Sequence, residues 1–182
     1  MKPPRPTRQE LHAARNKTVP DVVAPRLKVL FVGINPGLYS AAVRHHFARP
    51  GNRFWPALHR AGFTPRLLPP HEERELLKYR LGITNIINRA TASADELPEK
   101  ELKAGGRRLA AKVRRLRPRV VAILGVVAYR AAFGRKRITV GPQPESIGDA
   151  AVWVLPNPSG LNANYQLPEL VQLFRRLRRS TA

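Results

Sequence analysis

The stretch VLFVGINPG, residues 29–37, decides how this chain reads. A continuous apolar run ends in Gly33-Ile34-Asn35-Pro36-Gly37. A run that is apolar at every position fits a strand buried on both faces, as in a parallel sheet. The glycines permit a tight turn and close approach of a ligand, and Pro36 pushes Asn35 out of the helical region. A second apolar run ends in nearly the same way, VWVLPNPSG at 152–160. Such turns sit at the carboxyl ends of strands in an open α/β sheet, where these folds gather their chemistry.

Working outward, the pattern alternates strand with helix. LGITNII (81–87), RVVAILG (119–125) and AVWVLP (151–156) read as three further strands. Residues 51–62 read as a short helix with Pro56 near its first turn and Gly62 as its stop. Residues 71–80 read as a polar-faced helix. Residues 98–118 read as a long one carrying Leu102, Leu109 and Val113 on one face. Residues 126–134 form a helix closed by Gly134, and the last helix lines up Leu167, Leu170, Val171, Phe174 and Leu177 opposite arginines. The prediction is an α/β protein, a three-layer α/β/α sandwich around a mostly parallel sheet. Residues 26–182 form a single domain on this reading. Residues 1–25, rich in proline and basic residues without apolar periodicity, form a flexible tail.

Charge narrows the function. The chain carries 33 Lys+Arg against 12 Asp+Glu, a formal charge of +21. That field favours polyanions, either nucleic acid or an anionic membrane surface, although an arginine-rich surface that is simply solvated accounts for the count as well. There is no cysteine, so disulfides and thiolate chemistry are excluded. No apolar run reaches the roughly 18–20 residues of a membrane span. The N-terminus lacks the apolar core of a secretory signal, which leaves the cytoplasm as the expected compartment.

Each motif carries two readings. Asn35 offers an acceptor and two donors that position a water or read a base edge, or it closes an Asx-turn. Residues 45–55, HHFARPGNRFW, mix aromatic and basic side chains as base stacking and phosphate contact require. Phe47 is the candidate stacker, and Phe54 and Trp55 are core. His45 and His46 lack a third ligand at metal spacing. Leu161, on the polar loop 157–164, is either a wedge for a base stack or a side chain folded back onto the next helix. Asp95 is either a catalytic carboxylate or a helix-capping surface residue. The turn is not the G-x-G-x-x-G of a dinucleotide site, and no phosphate-binding loop occurs.

GINPG, the string LYSAAVRHHFARPGNRFWPALHRAGF, ELKAGGRRL and LPNPSGL together resemble the mismatch-specific uracil/thymine DNA glycosylases of the uracil-DNA glycosylase superfamily, from about Leu27 to the C-terminal helix. The resemblance implies a monomeric DNA glycosylase of base excision repair that acts on double-stranded DNA containing G·U or G·T mismatches, with no metal or cofactor. It implies that Asn35 holds the attacking water, with Gly33 and Ile34 beside it. Ser40 falls at the pocket rim, Phe47 on the flipped uracil, and Asn157 on the base or nearby backbone. Gly160 meets the widowed guanine and Leu161 fills the vacated stack, within a DNA-binding loop that includes Ser159 and Asn162. The pattern departs at Ala163, where bacterial members carry an arginine, and at Asn162, where they carry a serine. Tyr39 and the His45-His46 pair also differ from the family pattern. A non-catalytic nucleic-acid-binding domain of the same fold is the alternative.

The charge generates one prediction directly. Affinity for a DNA duplex falls steeply with salt, each neutralised phosphate adding about 0.9 to the log–log slope; fluorescence anisotropy across a salt series measures it.

Overall fold

The computed structural model describes residues 5–182. Its centre is a five-stranded sheet built from β1 (Val29–Gly33), β2 (Leu81–Asn85), β3 (Val120–Leu124), β4 (Gly141–Ile147) and β5 (Ala150–Leu155), in the order β2-β1-β3-β5-β4. The first four in that order run parallel, and β4 pairs antiparallel with β5 at one edge. Every residue of β1, β2 and β3 is buried, as continuous apolar strands covered on both faces must be.

Helices supply the two covers. On one face lie α3 (Phe54–Arg60), a 3-10 helical run at Pro70–Tyr79 and α6 (Leu167–Ser180). Phe31 of β1 is their shared anchor, edge-on to Phe54 at 5.4 Å and stacked on Phe174 at 5.8 Å. On the other face α4 (Glu99–Leu116) and α5 (Val126–Phe133) cover Leu30, Val32, Val121 and Ile123. Gly105 and Gly106 let α4 in close: a Cβ on Gly105 would stand 2.6 Å from the Ile86 carbonyl oxygen, and one on Gly106 2.6 Å from that of Ala132.

The four strands read from the sequence are present, and so are the three-layer order and the apolar stripe of the last helix. Strand β4 was not legible. GPQPESI contains two prolines and no apolar run, and it is tolerated only because it lies on an edge. Helix α2 (Leu38–Val43), one and a half turns after the first Asn-Pro turn, was also missed.

The expectation of a flexible tail over residues 1–25 needs correction from Thr7 onward; residues 1–4 lie outside the described residues. Helix α1 (Arg8–Ala13) starts with a capping box between Thr7 and Glu10. Ala14 is fully buried beside Ala41 and Ala90. Val22 exchanges both backbone hydrogen bonds with Ile83 of β2 and enters the core. Beside it the Lys112 ammonium donates to Asp21 Oδ2 at 2.5 Å and to Thr84 Oγ1 at 2.9 Å. Scattered apolar residues among prolines carry no period, so only the sheet they dock on reveals their role. Val22→Asp is therefore expected to cost at least about 2 kcal/mol, because it buries an unpaired carboxylate; urea denaturation measures it, and a free tail would show no change.

Candidate functional site

The carboxyl ends of the parallel strands converge on a cleft of about 480 Å³. It opens where the strand order turns back across β1, the position at which open α/β sheets hold ligands. The turn after β1 supplies Gly33, Ile34 and Asn35. Asn85 ends β2, Leu124 ends β3, and the chain beyond β5 supplies Asn157.

Parallel pairing holds the first turn in place. Gly33 is in register with Asn85. Beyond the strands the ladder continues, with Ile86 N–H donating to the Gly33 carbonyl, Ile87 to Ile34 and Thr91 to Pro36. Asn35 is fixed by the same segment. Its Nδ2 donates to the Arg89 carbonyl at 3.0 Å and to Thr91 Oγ1 at 2.8 Å. Thr91 gives its own hydroxyl proton to the Ser93 carbonyl, so it can only accept from Asn35. Both amide protons are thereby committed, and Oδ1 is left as an acceptor in the cleft.

Asn85 faces it. Its side chain is buried, and Nδ2 lies 3.5 Å from His46 Nδ1. His46 Nε2 is 2.9 Å from the Pro20 carbonyl, which only accepts, so that nitrogen carries the proton and Nδ1 is the acceptor. Burial pushes the His46 imidazole below its ordinary value of 6.5, against the opposing pull of the Glu73 carboxylate. Oδ1 of Asn85 lies over Gly33, where an added Cβ would stand 2.4 Å away. Only glycine fits beneath this amide.

Phe47 closes the cleft beside Gly33. Its φ of +51° is unusual for a bulky residue and holds the ring over the turn. Phe54 backs it at 4.3 Å with the rings nearly parallel, and Trp55 Nε1 pins the same loop by donating to the His46 carbonyl. Ser40 lines the cleft, and its Oγ accepts from Ala48 N–H, so it also secures this loop. His45 and His46 are not a ligand pair. The His46 N–H donates to Glu73 Oε2, and His45 Nδ1 lies 3.0 Å from Oε1 of the same carboxylate. Among the described residues no cluster of three or more His, Cys, Asp or Glu is placed to hold a metal ion.

On the far rim the loop after β5 presents Leu161, 75 % exposed. It does not fold back. Asn157 Oδ1 accepts from Ser159 N–H in an Asx-turn, and Asn162 Nδ2 donates to the Asn157 carbonyl. Ser159, Leu161 and Asn162 line the cleft. Gly160 is exposed and does not line the cleft; it approaches Gly51 so closely that a Cβ would lie 2.6 Å from the Gly51 carbonyl oxygen. Asp95 is an exposed rim residue in the short helical turn Ala94–Glu96. Ser93, not Asp95, caps that turn.

Of the eleven candidate residues named from the sequence, ten line the cleft and Gly160 does not; Asn85, His46 as a ring acceptor, and Thr91 are lining residues that the sequence did not single out for these roles. Asn85 carried a usable signal: it is the polar residue that ends an apolar strand, as Asn35 and Asn157 follow theirs.

The fold and cleft define an α/β protein with a strand-end pocket walled by amides and an aromatic ring. Residues 20–178 match the family model of the uracil DNA glycosylase superfamily, and the chain belongs to that family. A solution NMR structure of a "putative Uracil DNA glycosylase" from Methanosarcina acetivorans shares the fold, with a TM-score of 0.56 and 18% identity over 90% of this chain and 98% of that one.

The neutral His46 generates a pH prediction. With its folded pKa lowered, the unfolded chain takes up a proton below about pH 6.5 that the folded chain refuses. Stability is full above that value and falls as pH drops toward the folded pKa. The fall should be shallower in His46→Gln when unfolding free energies are compared at pH 7.5 and pH 5.5.

Proposed function

We propose that this protein is a DNA glycosylase that hydrolyses the N-glycosidic bond of uracil flipped out of mismatched duplex DNA. The observation that carries this reading is Asn35. Its amide is locked by Arg89 and Thr91 so that only an acceptor oxygen faces the cleft. A water donating to Oδ1 is held in position for attack on the sugar carbon. An amide has no useful basicity, so the reaction lacks the roughly 10²–10⁴-fold that a general base supplies. Backbone N–H groups at the strand ends are suited to stabilise uracil as it leaves with negative charge.

Asn85 supplies the base selectivity. With one N–H turned to His46 Nδ1, its remaining N–H and Oδ1 offer a donor and an acceptor in fixed order. That order suits uracil O4 and N3–H, whereas cytosine presents an acceptor at N3 and a donor at N4. Phe47 stacks on the extruded base. Leu161 fills the gap it leaves, as an apolar wedge does in a kinked duplex. Flipping costs a few kcal/mol and is cheapest at a mismatch, which supports preference for U·G and T·G pairs over U·A. Ala163 offers no side chain to grip the opposite guanine, so that preference rests on flipping cost. The protein acts as a monomer in the cytoplasm on this reading.

Single-turnover base release from U·G, T·G, U·A and single-stranded U oligonucleotides tests it. Release is expected fastest from U·G and to drop by about 10²-fold in Asn35→Ala. Asp95→Ala is expected to lose less; an equal loss would give that carboxylate a share of the chemistry. Tight duplex binding with no release would leave a binding domain. Gly33→Ala, which displaces Asn85, is expected to lose about 10²-fold in release while retaining duplex binding.

A further inference from the structure

Arg53 takes no part in the chemistry described above, yet it lies at the centre of the loop that bears Leu161. Its Nη1 donates to the carbonyl oxygens of Ser159 at 3.1 Å, Asn162 at 2.8 Å and Tyr165 at 2.9 Å. Its Nη2 donates to the Gly160 carbonyl at 3.2 Å and to Gln166 Oε1 at 2.9 Å. The Arg53 backbone N–H adds a bond to the Pro158 carbonyl at 2.8 Å. One residue thus collects oxygens from six successive or nearly successive positions of a loop that has no regular secondary structure.

We propose that Arg53 is the positioning residue of the wedge: it preforms the Leu161 loop so that insertion into DNA needs no reordering. The inference rests on the glycosylase reading of the cleft. Two physical consequences support it. Loop carbonyls turned inward onto a guanidinium are turned away from the phosphates and base oxygens that an outward carbonyl would repel. A loop already ordered before binding spares the entropy of ordering at the moment the base is extruded, and that cost otherwise subtracts from the insertion energy. The arrangement needs the planar five-donor fork of arginine. A lysine keeps the charge but offers three donors from a single point, which cannot span these oxygens. Arg53 itself is anchored between Asn52, whose Oδ1 accepts from Phe54 N–H, and the buried Phe54, so the fork is aimed by the same helix that backs Phe47.

The test compares wild type, Arg53→Lys, Leu161→Ala and the double variant. Two readouts are used: single-turnover release from a U·G duplex and from the same uracil in an unpaired bubble, and the fluorescence of 2-aminopurine beside a non-hydrolysable uracil nucleotide in the duplex. Hydrogen exchange over residues 159–164 of the free protein reports loop order without any substrate. Arg53→Lys is expected to lose about 10- to 100-fold on the duplex and much less on the bubble. It is also expected to lose the 2-aminopurine signal and to exchange faster at 159–164 with an unchanged unfolding midpoint. In the Leu161→Ala background the same substitution is expected to add little, because both act through one step. Equal losses on duplex and bubble, additive losses, or unchanged loop exchange would each overturn the proposal. If wild type releases no base from any substrate, the glycosylase reading fails. The wedge is then judged on 2-aminopurine fluorescence and loop exchange alone, where loss in Arg53→Lys supports it and no change refutes it.

Discussion

Everything at the cleft depends on the parallel pairing of β1 with β2 in the register that sets Gly33 opposite Asn85. A strand alternates its faces with period two, so a slip of one residue would turn Asn85 away and bring Ile86 over the turn. The ladder does not stop with the strands. It runs on through Ile86, Ile87 and Thr91 and fixes the partners that orient Asn35. Two amides from distant parts of the sequence thus share one rigid frame. The absence of a side chain at Gly33 gives them room, since the Asn85 carbonyl occupies the space a Cβ would need.

The same frame explains how a chain of charge +21 uses its few carboxylates. Glu73 is buried and secures the backbone of His46 rather than acting on a ligand. Glu101 holds the Arg89 guanidinium with two hydrogen bonds of 2.7 Å, and the Arg89 carbonyl in turn holds Asn35. Asp21 ties the N-terminal segment to α4 through Lys112. Glu73, Glu101 and Asp21 brace the site, the amides of Asn35, Asn85 and Asn157 line it with Asp95 and Arg49 also in the lining, and most of the surplus cations face solvent, where they add attraction for a polyanion without specifying sequence.

The N-terminal segment and the Leu161 loop are both irregular, and both are made definite by contacts with regular elements. Residues 16 and 17 exchange backbone hydrogen bonds with Ala90, one residue from the carbonyl that orients Asn35. The loop after β5 closes around Arg53 at the start of α3. Loops that carry function are commonly positioned by a rigid scaffold; here the scaffold reaches into the loop with a side chain.

The sequence by itself determined four of the strands and most of the helices between them, and it marked Asn35, Phe47, Asn157 and Leu161 as candidates. Continuous apolar runs, turn residues at their ends and an apolar stripe on the last helix are local signals, and local signals survive in a linear string. Strand β4 escaped because an edge strand can be polar and proline-containing, and the docked segment from Thr7 to Val22 escaped because its apolar residues follow no period. Only the tertiary structure decided that Asn85 shares the cleft with Asn35, that His46 is a neutral acceptor, and that Arg53 gathers the oxygens of a loop more than a hundred residues away. Those outcomes depend on burial and on pairs distant in sequence, and neither quantity exists until the chain has closed on itself.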